Sequence, residues 1–458
     1  MMNYKTNQTN LIIVSFILVE IILVTLLNLK GFDNFLPLVI GLIFITFFSY
    51  LKKFLKTYSI KNDIQNLYYI SYFVILISSI MMNVIYHNPF IISNSIDRIF
   101  VLIIGAYVAI NYKNLINIKI ANKRELFLFW WLIFNLLASI VGFVNHNSPF
   151  YILNDFIVYA LIPTFYFVSK NKVKDLDFNK FIIPIIFFQF IALVLNIKTF
   201  YNASALIIAY LLYQFLNSKK NVFKNSIYLI ISIVFSVLSP YANKSLLIQV
   251  CIIFLFLIFN KMTLNKFIRT ILIIGLVVGC FCMNYEKIQQ TSAYKKMEVF
   301  IETIFDESKD SNDVSTNGRI YEMKTVISNF KDLSFIQKAV GEGNGATLDF
   351  RTSPDLDTLI SVYGVEGISN VHNVHVLFFS ILNRHGIIGL FNIGILIIMI
   401  LYSYCINRKS MKKDISFLFV ICCLFDSFTA ATHLFVNLLF MIMFTILLAN
   451  TSQKGSNI

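Results

Sequence analysis

Two histidines, His372 and His375, close a polar stretch of this chain, and His375 stands eleven residues before Gly386 in a Gly386-Ile387-Ile388-Gly389 step. Imidazole titrates nearest neutral pH, so a positioned histidine can take and return a proton under ordinary conditions. Upstream lie two isolated cations, Lys244 in Asn243-Lys244-Ser245 and Arg319 in Asn317-Gly318-Arg319-Ile320-Tyr321-Glu322. Between Arg319 and the histidines runs Gly341-Glu342-Gly343-Asn344-Gly345, a turn whose glycines let backbone approach closely. The histidines sit where the chain re-enters apolar sequence, which puts polar chemistry at a water–lipid boundary. That place suits an enzyme whose substrate is itself anchored in lipid. The plainer readings are interfacial histidines, an arginine with local partners, and glycines that only let helices pack closely in a bilayer.

The elements that must hold these residues are membrane helices. Of the residues, 57% are hydrophobic and 14% charged, and the mean hydropathy is +0.73, far from a soluble domain. Apolar runs recur at Leu11–Leu27, Phe35–Leu51, Leu67–Tyr86, Leu126–Val144, Phe181–Ile197, Ser226–Leu238, Ser245–Phe259, Phe267–Met283, Ile387–Cys405, Ile415–Phe425 and His433–Leu448. Shorter or more polar candidates are Ile99–Tyr112, Tyr151–Val168 and Ala203–Leu216. At ~20 residues per crossing, the expectation is an all-α integral membrane protein, a polytopic bundle of about 14 helices (12–14) with one large extracytoplasmic helical loop. No run alternates as a barrel strand does, and helices satisfy their own backbone in lipid. The expected divisions are 1–283, an N-terminal transmembrane bundle of about 11 helices, then 284–374, the large loop, then 375–458, a C-terminal region of about 3 helices.

Charge sets the expected orientation. Lysines and arginines collect in every second loop: Lys52, Lys53, Lys56 and Lys61, then Lys113, Lys119, Lys123 and Arg124, then Lys170, Lys172, Lys174 and Lys180. The series continues through Lys219, Lys220 and Lys224, through Lys261, Lys266 and Arg269, and through Arg408, Lys409, Lys412 and Lys413. The positive-inside rule then places these loops and both termini in the cytoplasm and Asn284–Val374 outside. The basic excess is a topology signal and implies no nucleic-acid partner. Leu11–Leu27 reads as a span, without a small-residue cleavage site after it.

The outer segment is acidic and carries two expected amphipathic helices, Glu286–Glu307 and Arg319–Phe330, with Ser308–Gly318 as a loop between them. Tyr321, Val326, Ile327 and Phe330 are its candidate buried positions. His87, His146 and His433 also fall on the outer side, and Asp155 and Asp426 lie close enough to it to be solvated. The six cysteines lie in or beside apolar spans and show no zinc or redox spacing.

Order, spacing and side of the membrane together give a resemblance. The Gly318-Arg319 step opening a helix, the Gly341-x-Gly343 turn about twenty residues on, and His375 followed at family spacing by Gly386-x-x-Gly389 resemble the O-antigen polymerase and O-antigen ligase superfamily. The motifs cover Ser239–Leu390 and the rest only by topology. The family has His-Asn at the position of His375-Val376, whereas the literal dipeptide here is His372-Asn373, so both histidines remain candidates for the base. Lys244 stands where the family often has arginine, keeping the charge without the bidentate fork.

The resemblance implies transfer of a glycan from a polyprenyl-pyrophosphate donor to the hydroxyl of a lipid-linked repeat unit, at the outer face of a bacterial cytoplasmic membrane. His375 would be the general base with His372 supporting it, Arg319 and Lys244 would hold the pyrophosphate, with Arg98 and Arg351 in reserve, and Gly341, Gly343, Gly386 and Gly389 would shape the loop. No cofactor and no metal are implied; Asp355-Leu356-Asp357 has the form of a metal motif in an acidic loop where chance matches are easy. The implied partners are polyprenyl-pyrophosphate oligosaccharides, membrane lipid, and other polysaccharide export and chain-length proteins. Ligase and polymerase share these motifs. A lipid-linked oligosaccharide flippase is the other class, and it should carry paired charges deep within its helices, where this sequence has few.

Overall fold

The computed structural model describes residues 64, 67–68, 71, 101, 103–116, 118, 120–179, 181–182, 185–186, 203–217, 222–238, 244–259, 268, 275, 314–351, 371–372, 374–406, 410–427 and 433–449. The expected spans Leu11–Leu27 and Phe35–Leu51, the expected helix Glu286–Glu307, Asp355-Leu356-Asp357, His87 and Arg98 lie outside these residues. The chain divides into two compact units, Met1–Tyr112 and Lys113–Ile458. The described part of the first is helical; the second holds every site candidate described below.

The second unit contains helices α1 (Lys123–Val144), α2 (Pro149–Ser169), α3 (Ala203–Asn217), α4 (Val222–Leu238), α5 (Lys244–Phe259), α6 (Val314–Asp332), α7 (Phe335–Val340), α8 (Leu377–Ile406), α9 (Met411–Asp426) and α10 (Leu438–Leu448). Among the described residues there is no strand, only one antiparallel bridge between Leu348 and Val371. Helices α1, α2 and α8 are long and apolar enough to cross a membrane, which marks the chain as a helical membrane protein.

Helices α1 and α2 pack as a hairpin, and α10 packs on α2, α8 and α9. Every residue of α10 is buried, as its all-round apolar sequence requires. Its start differs from the expected continuous span over His433–Leu448. Asn437 breaks the run, its side chain accepting from the Phe440 amide at 3.0 Å as an N-cap. At the far end Lys413 is buried and its Nζ donates to the carbonyls of Ile446, Leu447 and Ala449 at 2.5, 2.8 and 2.7 Å. These are carbonyls that a helix C-terminus leaves without intrahelical partners.

Helix α6 begins at Val314, inside the stretch expected to be a loop. Ser315, Thr316 and Asn317 form its first turn; such residues favour caps and turns, so their composition reads as loop even where the chain is helical. Of the expected buried positions on α6, Val326 is buried while Ile327 is 40% exposed. Val326 joins Leu348, Phe350, Val371 and Val374 in a small apolar core, with Tyr321, Phe379 and Leu382 packed against it. This core fastens α6 to the segment carrying the histidines.

Helix α8 is two arms joined at Gly386, whose φ of 59° and ψ of −156° are not helical. Backbone in that quadrant is essentially reserved for glycine. The second arm matches the expected span Ile387–Cys405. The first, Leu377–His385, turns back over the loop Gly341–Gly345.

Candidate active site

The glycine turn is the point where the site is assembled. It follows α7, which opens with a capping box at Ser334 and ends at Gly341 with φ of 77°. A Cβ on Gly341 would lie 2.3 Å from the Arg384 carbonyl, and one on Gly343 would lie 2.2 Å from the Gly142 amide. The turn is therefore wedged between α1 and the bend of α8. Its amides take up carbonyls released at that bend: Glu342 N–H donates to Asn383 O at 3.0 Å and Gly343 N–H to Arg384 O at 2.9 Å. On the other side Asn344 N–H donates to Ala138 O at 2.9 Å, and the side-chain Nδ2 atoms of Asn145 and Asn147 both donate to the Glu342 carbonyl.

Asn344 itself is wholly buried. Its Nδ2 donates to Asn135 Oδ1 at 2.9 Å and to Ser139 Oγ at 2.8 Å. Its Oδ1 lies 2.8 Å from His385 Nε2. A side chain with its donors turned to α1 and its acceptor to α8 locks the turn between them. Gly389 makes room for His385, since a Cβ there would fall 2.3 Å from the His385 Cβ.

Beside this lock lies a buried ionic cluster. Asp155 of α2 and Arg384 of α8 are 3% and 1% exposed, with Arg384 Nε 2.9 Å from Asp155 Oδ2. The same oxygen accepts from the Gly345 amide at 2.7 Å and lies 3.2 Å from His372 Nε2. Arg384 also donates to Ser380 Oγ at 2.6 Å, to Tyr159 Oη at 3.2 Å and to the carbonyl of His372. The His372 ring stacks on Tyr151 at 4.2 Å between centroids. Asp155 is thus not solvated at an interface: it is buried and paired, as a charge taken out of water must be. Burial pushes the His372 imidazole below its ordinary pKa even with Asp155 beside it. His372 is held in place by Asp155 and Tyr151 and ties the chain to the cluster.

His375 is built differently. Its backbone amide donates to Glu322 Oε2 at 2.9 Å, and its Nδ1 lies 2.7 Å from Glu322 Oε1. The Glu322 side chain is fully buried while that of His375 is 41% exposed. A carboxylate at Nδ1 selects the tautomer with the proton on Nδ1 and the lone pair on Nε2. The helical period places Arg319 one turn before Glu322, with ~5–6 Å between Cβ atoms. A carboxylate and a half-exposed histidine therefore meet on α6, and Arg319 stands three residues before that carboxylate on the same helix.

The sequence-expected residues separate into groups. His372, Gly341, Gly343, Gly386 and Gly389 gather around the Arg384–His385 bend, His375 is held by Glu322 of α6, and Arg319 lies on α6 three residues before Glu322. Lys244 opens α5, at the first position of that helix. Arg351, the reserve cation, forms an exposed ion pair with Asp349. The residues that sequence reasoning missed are Glu322, Arg384, Asn344 and Asp155's role. A signal existed for two of them: Glu322 lies four residues before buried Val326 and so shares its face, and Asp155 is an ionisable residue within a span. Among the described residues, no group of histidines, cysteines and carboxylates is arranged to hold a metal ion. No protein-family profile, curated relative or solved structure matches the chain.

Proposed function

We propose that the protein is a membrane-bound glycosyltransferase that moves a glycan from a polyprenyl-pyrophosphate donor to the hydroxyl of a lipid-linked repeat unit, in the manner of the O-antigen polymerases and ligases. The observation that carries the reading is the Glu322–His375 pair. His375 Nε2 takes the acceptor's proton, the acceptor oxygen bonds to the anomeric carbon from the face opposite the leaving pyrophosphate, and Glu322 stabilises the imidazolium. Direct displacement inverts the anomeric centre. Arg319, one helical turn from Glu322, meets the charge that develops on the departing pyrophosphate, where exclusion of water makes a fixed cation most effective. Lys244 is the second cation of this reading. The site faces the outside of a bacterial cytoplasmic membrane in a bundle of about 14 helices, with both termini inside.

One observation favours the transporter class. The buried Asp155–Arg384 pair is the kind of intramembrane charge pairing that a flippase would use. Its two partners are, however, also held by Gly345, Tyr159, Ser380 and His372, which suits a fixed brace better than a moving site.

The test is polymer formation in cells carrying single variants, with protein level and membrane insertion monitored. His375→Ala is expected to lose ~10²–10⁴-fold in rate and to accumulate unpolymerised repeat units. Glu322→Gln should follow it, because an amide donating to Nδ1 moves the ring proton to Nε2. Arg319→Ala should abolish polymer and Arg319→Lys restore part of it. Normal polymer from His375→Ala, or loss of repeat units from the outer face in that variant, would replace the transferase reading with the transporter one.

A further inference from the structure

The short helix that leads into the glycine turn opens on two apolar side chains that the fold leaves outside. Phe335 and Ile336 form the first turn of α7 and are 87% and 72% exposed. Phe335 is the most exposed large apolar side chain among the described residues. A single exposed apolar residue is ordinary, but two adjacent ones on one helical turn make an apolar tip that asks for a partner.

The packing of α7 fixes the depth of that tip. Its far end lies against the bend of α8, where a Cβ on Gly386 would fall 2.5 Å from both the Ala339 carbonyl oxygen and the Gly341 amide nitrogen. Beyond the bend, α8 continues through residues 387–406. That is about 30 Å of helix, the thickness of a hydrocarbon core. Ile387, Phe391, Ile398 and Tyr402 are exposed along one side of this arm, as lipid-facing residues would be. Gly386 therefore marks the membrane boundary at the histidine end of α8. Phe335 stands four residues before Ala339, about 6 Å of helix rise away. The headgroup layer is itself roughly 5–7 Å deep, so whichever way α7 points, its first turn lies in or beside that layer.

The start of α7 also suits a place next to hydrocarbon. The Gln337 amide donates to Ser334 Oγ at 3.3 Å and the Ser334 amide to Gln337 Oε1 at 3.2 Å. This capping box satisfies two amides that a helix end otherwise leaves to water.

We infer that Phe335 and Ile336 insert among the lipids at the histidine-side surface of the membrane and anchor the glycine turn there. The partner of the tip is bilayer lipid, held by apolar burial in the interfacial layer. The inference is independent of the transferase reading and needs only that the second arm of α8 crosses a membrane. The test uses the full-length protein without its native thiols, in phosphatidylcholine nanodiscs that leave both faces open to solvent. Bimane is attached at Phe335→Cys or at Lys324→Cys, an exposed lysine on α6. At 335 it should be quenched by a lipid carrying a nitroxide near the top of its acyl chain. It should also lose most of the iodide quenching that bimane-labelled glutathione shows in the same buffer. At 324 lipid quenching should be weaker and iodide quenching stronger. Iodide quenching at 335 equal to that of labelled glutathione would put the tip in water and overturn the inference. Protection from both quenchers would overturn it as well, since protein, such as a second copy of the chain, would then cover the tip. So would equal lipid quenching at the two positions, because the label and not the tip would be seeking the bilayer.

Discussion

His372 and His375 are three residues apart, and their surroundings divide the labour that the sequence left open between them. His375 has a carboxylate at one nitrogen and a half-exposed ring; His372 is covered, stacked on Tyr151 and tied to Asp155. Burial holds the His372 pKa below its ordinary value, and this has a sign for stability. A depressed histidine pKa means that the unfolded chain binds the proton more readily, so the contribution is present above the unfolded pKa and lost as pH falls through the folded one. Thermal unfolding of the detergent-solubilised protein should therefore move to lower temperature as pH drops below ~6.5, with a slope of at most about 1.4 kcal/mol per pH unit from this site. His372→Asn should flatten that acid limb relative to wild type. An unchanged acid limb would assign the loss to other groups. Spacing to Gly386 and Gly389 points to His375, whereas the position of Glu322 four residues before Val326 signals a shared buried face and not a histidine partner. Its importance comes from a long-range packing contact that brings α6 beneath the histidine segment.

At the scale of elements, the apolar helices among the described residues were legible because hydrophobic length dictates them. The expected Leu126–Val144, Ala203–Leu216 and Ser245–Phe259 differ from α1, α3 and α5 only at their ends. The sequence was less legible where a polar side chain caps a helix inside an apolar run, as Asn437 does, or where a helix starts in polar residues, as α6 does. The bend in α8 was visible only as a pair of glycines with no assigned geometry. Gly386 and Gly389 turn out to serve different ends, one permitting the bend and the other seating His385. Gly386→Ala should cost about 2–5 kcal/mol, since it adds strained backbone and a contact with Ala339 and Gly341 in place of empty space. Gly394→Ala, in the same helix with no atom within 4 Å of its added Cβ, should be neutral or slightly stabilising. Unfolding temperatures of the two variants measured side by side check this, and equal shifts would remove the special role of the bend.

Across the whole molecule, the second unit separates its chemistry along the direction of α1. Histidines, the buried Asp155–Arg384 pair and the glycine turn gather at one end, while Lys170, Lys172, Lys174 and Lys412 gather at the other. Lys412 Nζ donates there to the carbonyls of Val173 and Leu176 at 2.8 and 2.9 Å. The alternation of basic loops in the sequence predicts this polarity and adds a direction to it, with the lysine end in the cytoplasm. Sidedness is a property of the cell and is tested there. In a background without native thiols, Lys331→Cys on α6 and Asn217→Cys at the end of α3, both exposed, report the two ends. Lys331→Cys should react with an impermeant maleimide in intact cells, and Asn217→Cys only after lysis. The reverse pattern would turn the protein over. It would place the Glu322–His375 pair on the cytoplasmic side, where a donor that has already crossed the membrane could not reach it, and the polymerase reading would fail with the orientation.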